Sequence, residues 1–189
     1  AQKLAKEQGK IYVSPYNDPQ IIAGQGTLAI ELLDQLPRLD VVYVSIGGGG
    51  LISGIGCVLK AFSPRTRVVG VSAKNSAELA ASIRAGKMVK VDHYETLADG
   101  CAGGVDNDTI TLGLGSEVID DLIDCSEGQI EVGLQQIAWN EKMLVEGSAG
   151  LAYAAWQEDA SNNKNKISAV VLCGANFDKE TLSPIFNRD

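Results

Sequence analysis

The sequence predicts an α/β fold: an open, mostly parallel β-sheet with flanking helices on both faces, in a three-layer αβα arrangement. Short apolar runs alternate along the chain with segments of helical periodicity, which is the order that β-α-β units produce. These runs are continuous stretches of apolar residues, as in "VVYVSI" (41–46), because strands of a parallel sheet are buried on both faces. A hydrophobic content of 45% over 189 residues also suffices for a packed core.

The predicted elements follow one another in a regular order. Apolar runs typical of strands occur at 10–14, 41–46, 67–72, 121–126 and 166–177. Helical patterns occur at 26–36, 51–62, 76–86, 127–144 and 147–158, and the opening "AQKLAKEQGK" (1–10) looks like the middle of a helix. Residues 87–112 are expected to form a loop, and the polar segment "EDASNNKNK" (158–166) a solvated turn.

The charge of the chain argues against a nucleic-acid or membrane partner. The net charge is −8, and no run of Lys or Arg interrupts the acidic background. The longest apolar segments are broken well short of the ~20 residues that a bilayer span requires. Small-molecule chemistry is therefore the expected function class.

The cysteines indicate a reducing compartment. Cys57, Cys101, Cys125 and Cys173 lie far apart, no C-x-x-C pair occurs, and the chain has one histidine. That spacing argues against a zinc site and fits reduced thiols better than a disulfide framework. We expect a cytoplasmic protein.

Four consecutive glycines, Gly47 to Gly50, separate a predicted strand from a predicted helix in "SIGGGGLISG". Ligands of open parallel sheets bind outside the carboxyl ends of the strands. The first N–H groups of a helix lack intrahelical partners and attract anions, and residues without Cβ let the backbone wrap a phosphate closely. The alternative is a flexible turn. A second polar stretch, "DNDT" (106–109), predicts either a cation site or, more simply, Asx-turns and helix caps.

The glycine run belongs to a longer series of motifs. "YNDPQIIAGQGTLAIEL" (16–32) precedes it, and "VVGVS", "LADGCAGG" (97–104), "VEGSAGLA" (145–152) and "VVLCGANFD" (170–178) follow. In this order the series resembles the fold-type II pyridoxal-phosphate enzymes, specifically the threonine/serine dehydratase and serine racemase family, over essentially the whole chain. The resemblance implies the large domain of that fold and pyridoxal 5'-phosphate as cofactor.

The resemblance also assigns roles to individual residues. Gly47, Gly48, Gly49 and Gly50, with Leu51, would hold the cofactor phosphate, and Gly100 would approach the cofactor ring. Cys173 would face the pyridine nitrogen, where many relatives have Ser; a neutral thiol does not force a proton onto that nitrogen. Glu146 would lie near the cofactor and assist proton movement. Without the family context, Cys173 would be an ordinary core residue and Glu146 a favourable first-turn carboxylate.

Two departures from the family pattern qualify the resemblance. Relatives with a divalent-cation site have "GVEP" where this chain has "GVSA", so Ser72 replaces a ligating Glu, while Ser76 and Glu78 match the other ligands. We expect no tight divalent metal. The family's "S-x-K-x-R" motif, which carries the Schiff-base lysine, does not occur. Residues 1–189 are therefore expected to be the C-terminal part of the large domain, without the small domain and inactive alone.

The leading interpretation is a threonine/serine dehydratase-type ammonia-lyase, which carries out β-elimination and deamination of a hydroxy amino acid. The complete enzyme is expected to be a homodimer or a higher homo-oligomer. A serine-type amino-acid racemase of the same family is the first alternative. A non-catalytic phosphate-binding α/β domain is the second.

Overall fold

Within residues 1–187, four parallel strands form one sheet in the order β3-β2-β1-β4. The structure is a computed structural model and describes residues 1–187. The strands are β1 (Val41–Ser45), β2 (Arg67–Ala73), β3 (Asp121–Cys125) and β4 (Ser168–Val170). The register pairs Tyr43 with Val69 on one side and with Val170 on the other.

Helices occupy most of the remaining chain. Their bounds are α1 (Gln2–Glu7), α2 (Pro19–Gln35), α3 (Gly50–Phe62), α4 (Glu78–Ala85), α5 (Thr111–Val118), α6 (Glu127–Gln136), α7 (Gly147–Glu158), α8 (Ala160–Asn163) and α9 (Lys179–Phe186). A 3-10 turn at Asp99–Cys101 and a π turn at Ile137–Glu141 complete the regular structure. No helix in residues 1–187 is long and apolar enough to cross a membrane.

Strand β1 lies inside the sheet, and all five of its residues are buried. Because successive side chains of a strand point to opposite faces, Val42 and Val44 pack with the apolar side of α2 and α3. Val41 and Tyr43 pack with α6, α7 and α9. Helices therefore cover both faces, which confirms the predicted open parallel sheet with flanking helices.

Helices α2 and α3 pack closely because glycine lies at their contact. A Cβ at Gly54 would come within 2.2 Å of the Ile22 carbonyl oxygen, and one at Gly26 within 3.0 Å of the Gly54 carbonyl oxygen. Asp18 caps the start of α2 by accepting from the N–H groups of Gln20 and Ile21, at 2.8 and 3.1 Å. This packing holds the loop before α2 beside the start of α3.

The structure corrects several predicted elements. Residues 10–14 do not form a strand: Ile11 is 92% and Val13 57% exposed, and both edges of β1 are already paired. The predicted loop 87–112 overlaps the start of α5, which begins at Thr111. The sequence did not predict this helix because its two glycines interrupt the helical periodicity. The pattern at 127–144 ends earlier, in the π turn. The run 166–177 forms strand only at Ser168–Val170, and the expected turn at 158–166 contains α8.

Candidate functional site

A crevice of about 300 Å³ opens at the carboxyl ends of β1 and β4. The chain proceeds from β1 through β2 to β3 on one side, and β4 returns to the other side of β1. The crevice therefore lies at the point where the strand order reverses, which is where open α/β sheets bind ligands. Its lining residues are Pro15, Tyr16, Ser45, Gly47, Gly48, Gly49, Gly50, Leu51, Gly100, Cys101, Glu146, Ser148 and Cys173.

All eight residues that the sequence assigned to a site line this one crevice: Gly47, Gly48, Gly49, Gly50, Leu51, Gly100, Glu146 and Cys173. Sequence reasoning missed the other lining residues. One signal was available, because Ser45 is a hydroxyl at the end of an otherwise apolar run. Its Oγ donates to the Ser148 carbonyl oxygen at 2.6 Å, which ties the end of β1 to the first turn of α7.

The glycine run needs glycine for steric reasons. A Cβ at Gly48 would lie 2.3 Å from Cγ of the Tyr16 ring, and one at Gly49 would lie 2.3 Å from Cδ2 of Leu79. Gly49 also has φ +86°, in the left-handed region that side chains disfavour. It is the N-cap of α3. The run is therefore a fixed, closely packed loop and not a flexible turn.

The main-chain N–H groups of residues 47–51 make no hydrogen bond to another residue in the described part of the chain. They lie before and in the first turn of the 13-residue helix α3, where the helix dipole presents its positive end. Among residues 1–187, no Lys or Arg lines the crevice. The groups available to an anion here are main-chain donors, as in helix N-terminal phosphate sites.

Tyr16 forms the wall opposite the glycine run. Its phenol oxygen accepts from the Asp106 N–H at 3.0 Å, and Ser14 Oγ accepts from the Asn17 N–H at 2.9 Å, which fixes the loop on either side. Burial raises the pKa of the Tyr16 phenol above its usual value of 10.0. The ring is therefore a neutral, positioned surface next to the anion donors.

Glu146 is the carboxylate of the crevice. Its Oε2 accepts from the Asn176 N–H at 2.8 Å. Its own N–H donates to the Gly174 carbonyl oxygen at 3.1 Å. A Cβ at Gly174 would lie 2.5 Å from Oε2, and one at Gly100 would lie 3.0 Å from Oε1. The two glycines thus leave room for a carboxylate held in one orientation.

Two thiols and a hydroxyl lie near Glu146. Removal of water from the sulfur, with Cys101 and Glu146 nearby, raises the pKa of Cys173 to about 12, although the residue is exposed at the crevice mouth. Burial also raises the pKa of Cys101. Both thiols are neutral at pH 7. Ser148 is 1% exposed, lies beside Cys101, and its Oγ has no hydrogen-bond partner of normal geometry among residues 1–187.

A larger hollow of about 730 Å³ lies on the other side of Glu146. Carboxylates including Glu127 and Asp178 line it, and it contains neither the glycine run nor the free N–H groups. The smaller crevice is therefore the candidate anion site.

Ser72, Ser76 and Glu78 match the positions of the family's cation site. Within the described residues no group of three or more His, Cys, Asp or Glu side chains is placed to hold a metal ion. Glu78 is instead bonded to Lys90 at 2.9 Å and to His93 at 3.1 Å. That no tight divalent metal binds near Ser72, Ser76 and Glu78 stays a prediction. The "DNDT" segment forms a turn closed by the Thr109 N–H on the Asp106 carbonyl oxygen, at 3.1 Å.

Comparison with known proteins agrees with this geometry. Residues 1–174 match the family described as "Pyridoxal-phosphate dependent enzyme". The L-threonine ammonia-lyase of Thermotoga maritima is 34% identical over 188 residues, which are 100% of this chain and 46% of that protein.

Solved structures share the fold. The processed form of threonine deaminase isoform 2 from Solanum lycopersicum superposes with a TM-score of 0.90 at 28% identity, over 98% of this chain and 54% of that one. Maize serine racemase superposes with a TM-score of 0.86 at 29% identity, over 97% and 56%.

The chain spans about half the length of these relatives. The cofactor of their family is pyridoxal 5'-phosphate. The glycine run at the strand end and the match over residues 1–174 lead to the same conclusion: this chain belongs to the family of pyridoxal-phosphate dependent enzymes.

Proposed function

We propose that this chain forms the cofactor site of a lyase that eliminates the β-hydroxyl of threonine or serine and releases a keto acid and ammonia. The observation that carries the proposal is the set of free N–H groups at residues 47–51, at the switch point of the sheet. The sequence identity of 34% with an L-threonine ammonia-lyase supports the reaction class. Pyridoxal phosphate, when bound, supplies an electron sink for the substrate carbon that loses its proton.

The residues present fit this cofactor. The N–H groups of Gly47–Gly50 and Leu51 would hold the phosphate, in a loop where the Tyr16 ring leaves no room for a Cβ at Gly48. Gly100 would leave space beside the ring, and Ser148 would offer a buried hydroxyl that has no hydrogen-bond partner of normal geometry in the described chain. Cys173 would present a neutral thiol to the pyridine nitrogen. A neutral partner would not force a proton onto that nitrogen, which would favour elimination over a fully developed carbanion.

Glu146 is the group that holds or moves a proton in this crevice. Its Oε2 is engaged by the Asn176 N–H, so its Oε1 is the oxygen available on the side of Gly100. A carboxylate in that place can accept a proton from the substrate and return it to the leaving hydroxyl. The family's reacting lysine has no matching motif in residues 1–189, and we propose that a segment outside them supplies it together with the small domain.

A racemase of the same family is the second candidate. The likeness to maize serine racemase supports it, because the same half of the fold is shared at a similar level of identity. The two functions differ in product, since a racemase returns the amino acid with inverted configuration. We further propose a cytoplasmic homo-oligomer. The four free cysteines and the exposed Phe62 and Trp139, at 76% and 61%, support this.

The test compares two alanine substitutions at glycine. Gly48→Ala places a Cβ 2.3 Å from the Tyr16 ring, whereas Gly24→Ala, in α2, meets nothing within 4 Å. Overpacking costs ~1–3 kcal/mol, so Gly48→Ala should weaken pyridoxal phosphate binding by about tenfold or more. Gly24→Ala should bind like the unsubstituted protein. Binding is followed by absorbance and by ³¹P NMR.

Equal phosphate binding by both variants would contradict the assignment of the glycine run. The reaction is tested on the full-length enzyme with L-threonine and L-serine, measuring keto acid and D-serine. Keto acid as the main product supports the lyase. D-serine without keto acid supports the racemase.

A further inference from the structure

The segment at 106–111, which lies outside the crevice lining, supports the crevice from behind. Its Asp106 N–H donates to the Tyr16 phenol oxygen at 3.0 Å. The Thr111 hydroxyl donates to the Gly48 carbonyl oxygen at 2.7 Å. One short segment therefore contacts both the aromatic wall and the glycine run.

The hydrogen bonds around Thr111 have only one consistent direction. A carbonyl oxygen only accepts, so the Thr111 hydroxyl proton points to Gly48. The Thr109 Oγ1 lies 2.7 Å from the Thr111 Oγ1 and must therefore be the donor of that pair. It also accepts from the Thr111 N–H at 3.3 Å. Thr111 is 0% exposed and Thr109 8%, so water does not compete for these bonds.

This arrangement orients the peptide between Gly48 and Gly49. In a trans peptide the C=O and N–H bonds point in opposite directions, and none of the described peptide bonds is cis. With its carbonyl held by Thr111 on the buried side, the peptide turns the Gly49 N–H toward the crevice. Leu79 packs against Gly49 from the same buried side.

We infer that Thr111 is a positioning residue, which sets the Gly48–Gly49 peptide so that its N–H meets the phosphate of the bound ligand. The inference rests on the proposed function and deepens it, because it names the group that pre-orients one of the anion donors. Without the hydroxyl, the Gly48 carbonyl oxygen is free to turn toward the crevice, where it would repel a phosphate.

The experiment uses a matched pair of threonines. Thr111→Val removes the hydroxyl with little change of shape, and Thr111→Ser keeps it. Thr66→Val is the control: Thr66 is 1% exposed and donates to the Leu39 carbonyl oxygen at 2.7 Å. It lies before β2, at the end of the sheet away from the crevice. The probes are inorganic phosphate, pyridoxal phosphate and pyridoxal, which lacks the phosphate.

Thr111→Val should lower the affinity for both phosphate-bearing probes by about tenfold, the effect expected when a hydrogen bond to a charged group is lost. The affinity for pyridoxal should not change, and Thr111→Ser should restore phosphate affinity to within about twofold. Thr66→Val should reduce thermal stability alone. In NMR spectra, phosphate should shift the Gly49 amide resonance in the unsubstituted protein and much less in Thr111→Val.

Other outcomes separate this inference from the proposed function. If Thr111→Val binds phosphate normally while Gly48→Ala does not, the positioning role is wrong and the proposed function stands. If the unsubstituted protein binds neither phosphate probe, the proposed function fails, and this inference fails with it. Should Thr111→Val not fold, Thr111→Ala removes the same hydroxyl without placing a branched side chain in the buried site. Unchanged phosphate affinity in that variant would overturn the inference.

Discussion

Replacing Glu78 by glutamine tests the buried carboxylate that holds the loop between α4 and α5. Glu78 is 3% exposed. Its Oε1 accepts from Lys90 Nζ and from the Val105 N–H, both at 2.9 Å, and its Oε2 is 3.1 Å from His93 Nε2. These bonds fix two ends of a loop whose middle reaches the crevice at Gly100.

The pKa of Glu78 sets the expected magnitude. Burial would raise it, but hydrogen bonds from Val105, Lys90 and His93 outweigh burial and lower it from 4.5 to about 2. At 1.36 kcal/mol for each pKa unit, this difference corresponds to roughly 3 kcal/mol of stability at pH 7. Lys90 is 64% exposed, so salt screens its share and the value is an upper limit.

The sign of the pH dependence follows from the lowered pKa. The stabilisation is fully present above the pKa of the unfolded chain, 4.5, and is lost as the pH falls toward the folded value of about 2. Roughly 2 kcal/mol of it should disappear between pH 7 and pH 3. Glu78→Gln, which keeps the shape without the charge, should be less stable at pH 7 by up to about 3 kcal/mol and should lose less stability on acidification.

Urea unfolding at several pH values measures this difference. Glu117→Gln is the control, because Glu117 is an exposed glutamate on α5 and its replacement should change stability by less than ~0.5 kcal/mol. A Glu78→Gln protein as stable as the unsubstituted one at pH 7, or with the same loss on acidification, would refute the reasoning.

Two further predictions concern α7 and the strand end. Gly147→Ala places a Cβ 1.8 Å from the Leu97 carbonyl oxygen and should destabilise the protein by ~1–3 kcal/mol in urea unfolding; Gly24→Ala, with open space around it, should stabilise it by ~0.5–1 kcal/mol. In the full-length enzyme Cys173→Ser should retain elimination, since hydroxyl and thiol are both neutral, whereas Cys173→Asp should favour protonation of the ring nitrogen and change the absorption spectrum and the rate. Identical spectra and turnover in all three proteins would show that Cys173 does not contact the cofactor.

Much of the sheet was predictable because a strand that is buried on both faces has a continuous run of apolar residues in the sequence. The runs at 41–46 and 67–72 became strands within one residue at each end. The run at 10–14 is similarly apolar, but it does not form a strand. Whether Ile11 and Val13 are buried depends on a neighbouring strand, and no local pattern encodes that neighbour.

Some residues of the candidate site could be predicted from the sequence, and others could not. The place of the glycine run in the crevice was predictable because its members are consecutive residues at a strand end. Tyr16, Cys101 and Ser148 come from three separate segments, and only the fold brings them to the same crevice. The role that we propose for Thr111 was harder to predict from the sequence. Its hydroxyl contacts the Gly48 carbonyl oxygen on the buried side of the loop and does not line the crevice.

The part of the chain that the structure describes contributes no Lys or Arg to the crevice lining, and this divides the possible substitutions in this protein into two kinds. The proposed anion anchor consists of main-chain N–H groups, so substitutions would alter it mainly when they alter the path of the backbone. The walls consist of ordinary side chains, which can be exchanged one at a time. Mutations that change the side chains of the walls would therefore leave the proposed phosphate site largely unchanged. The same phosphate site could then be kept in enzymes whose walls, and therefore reactions, differ.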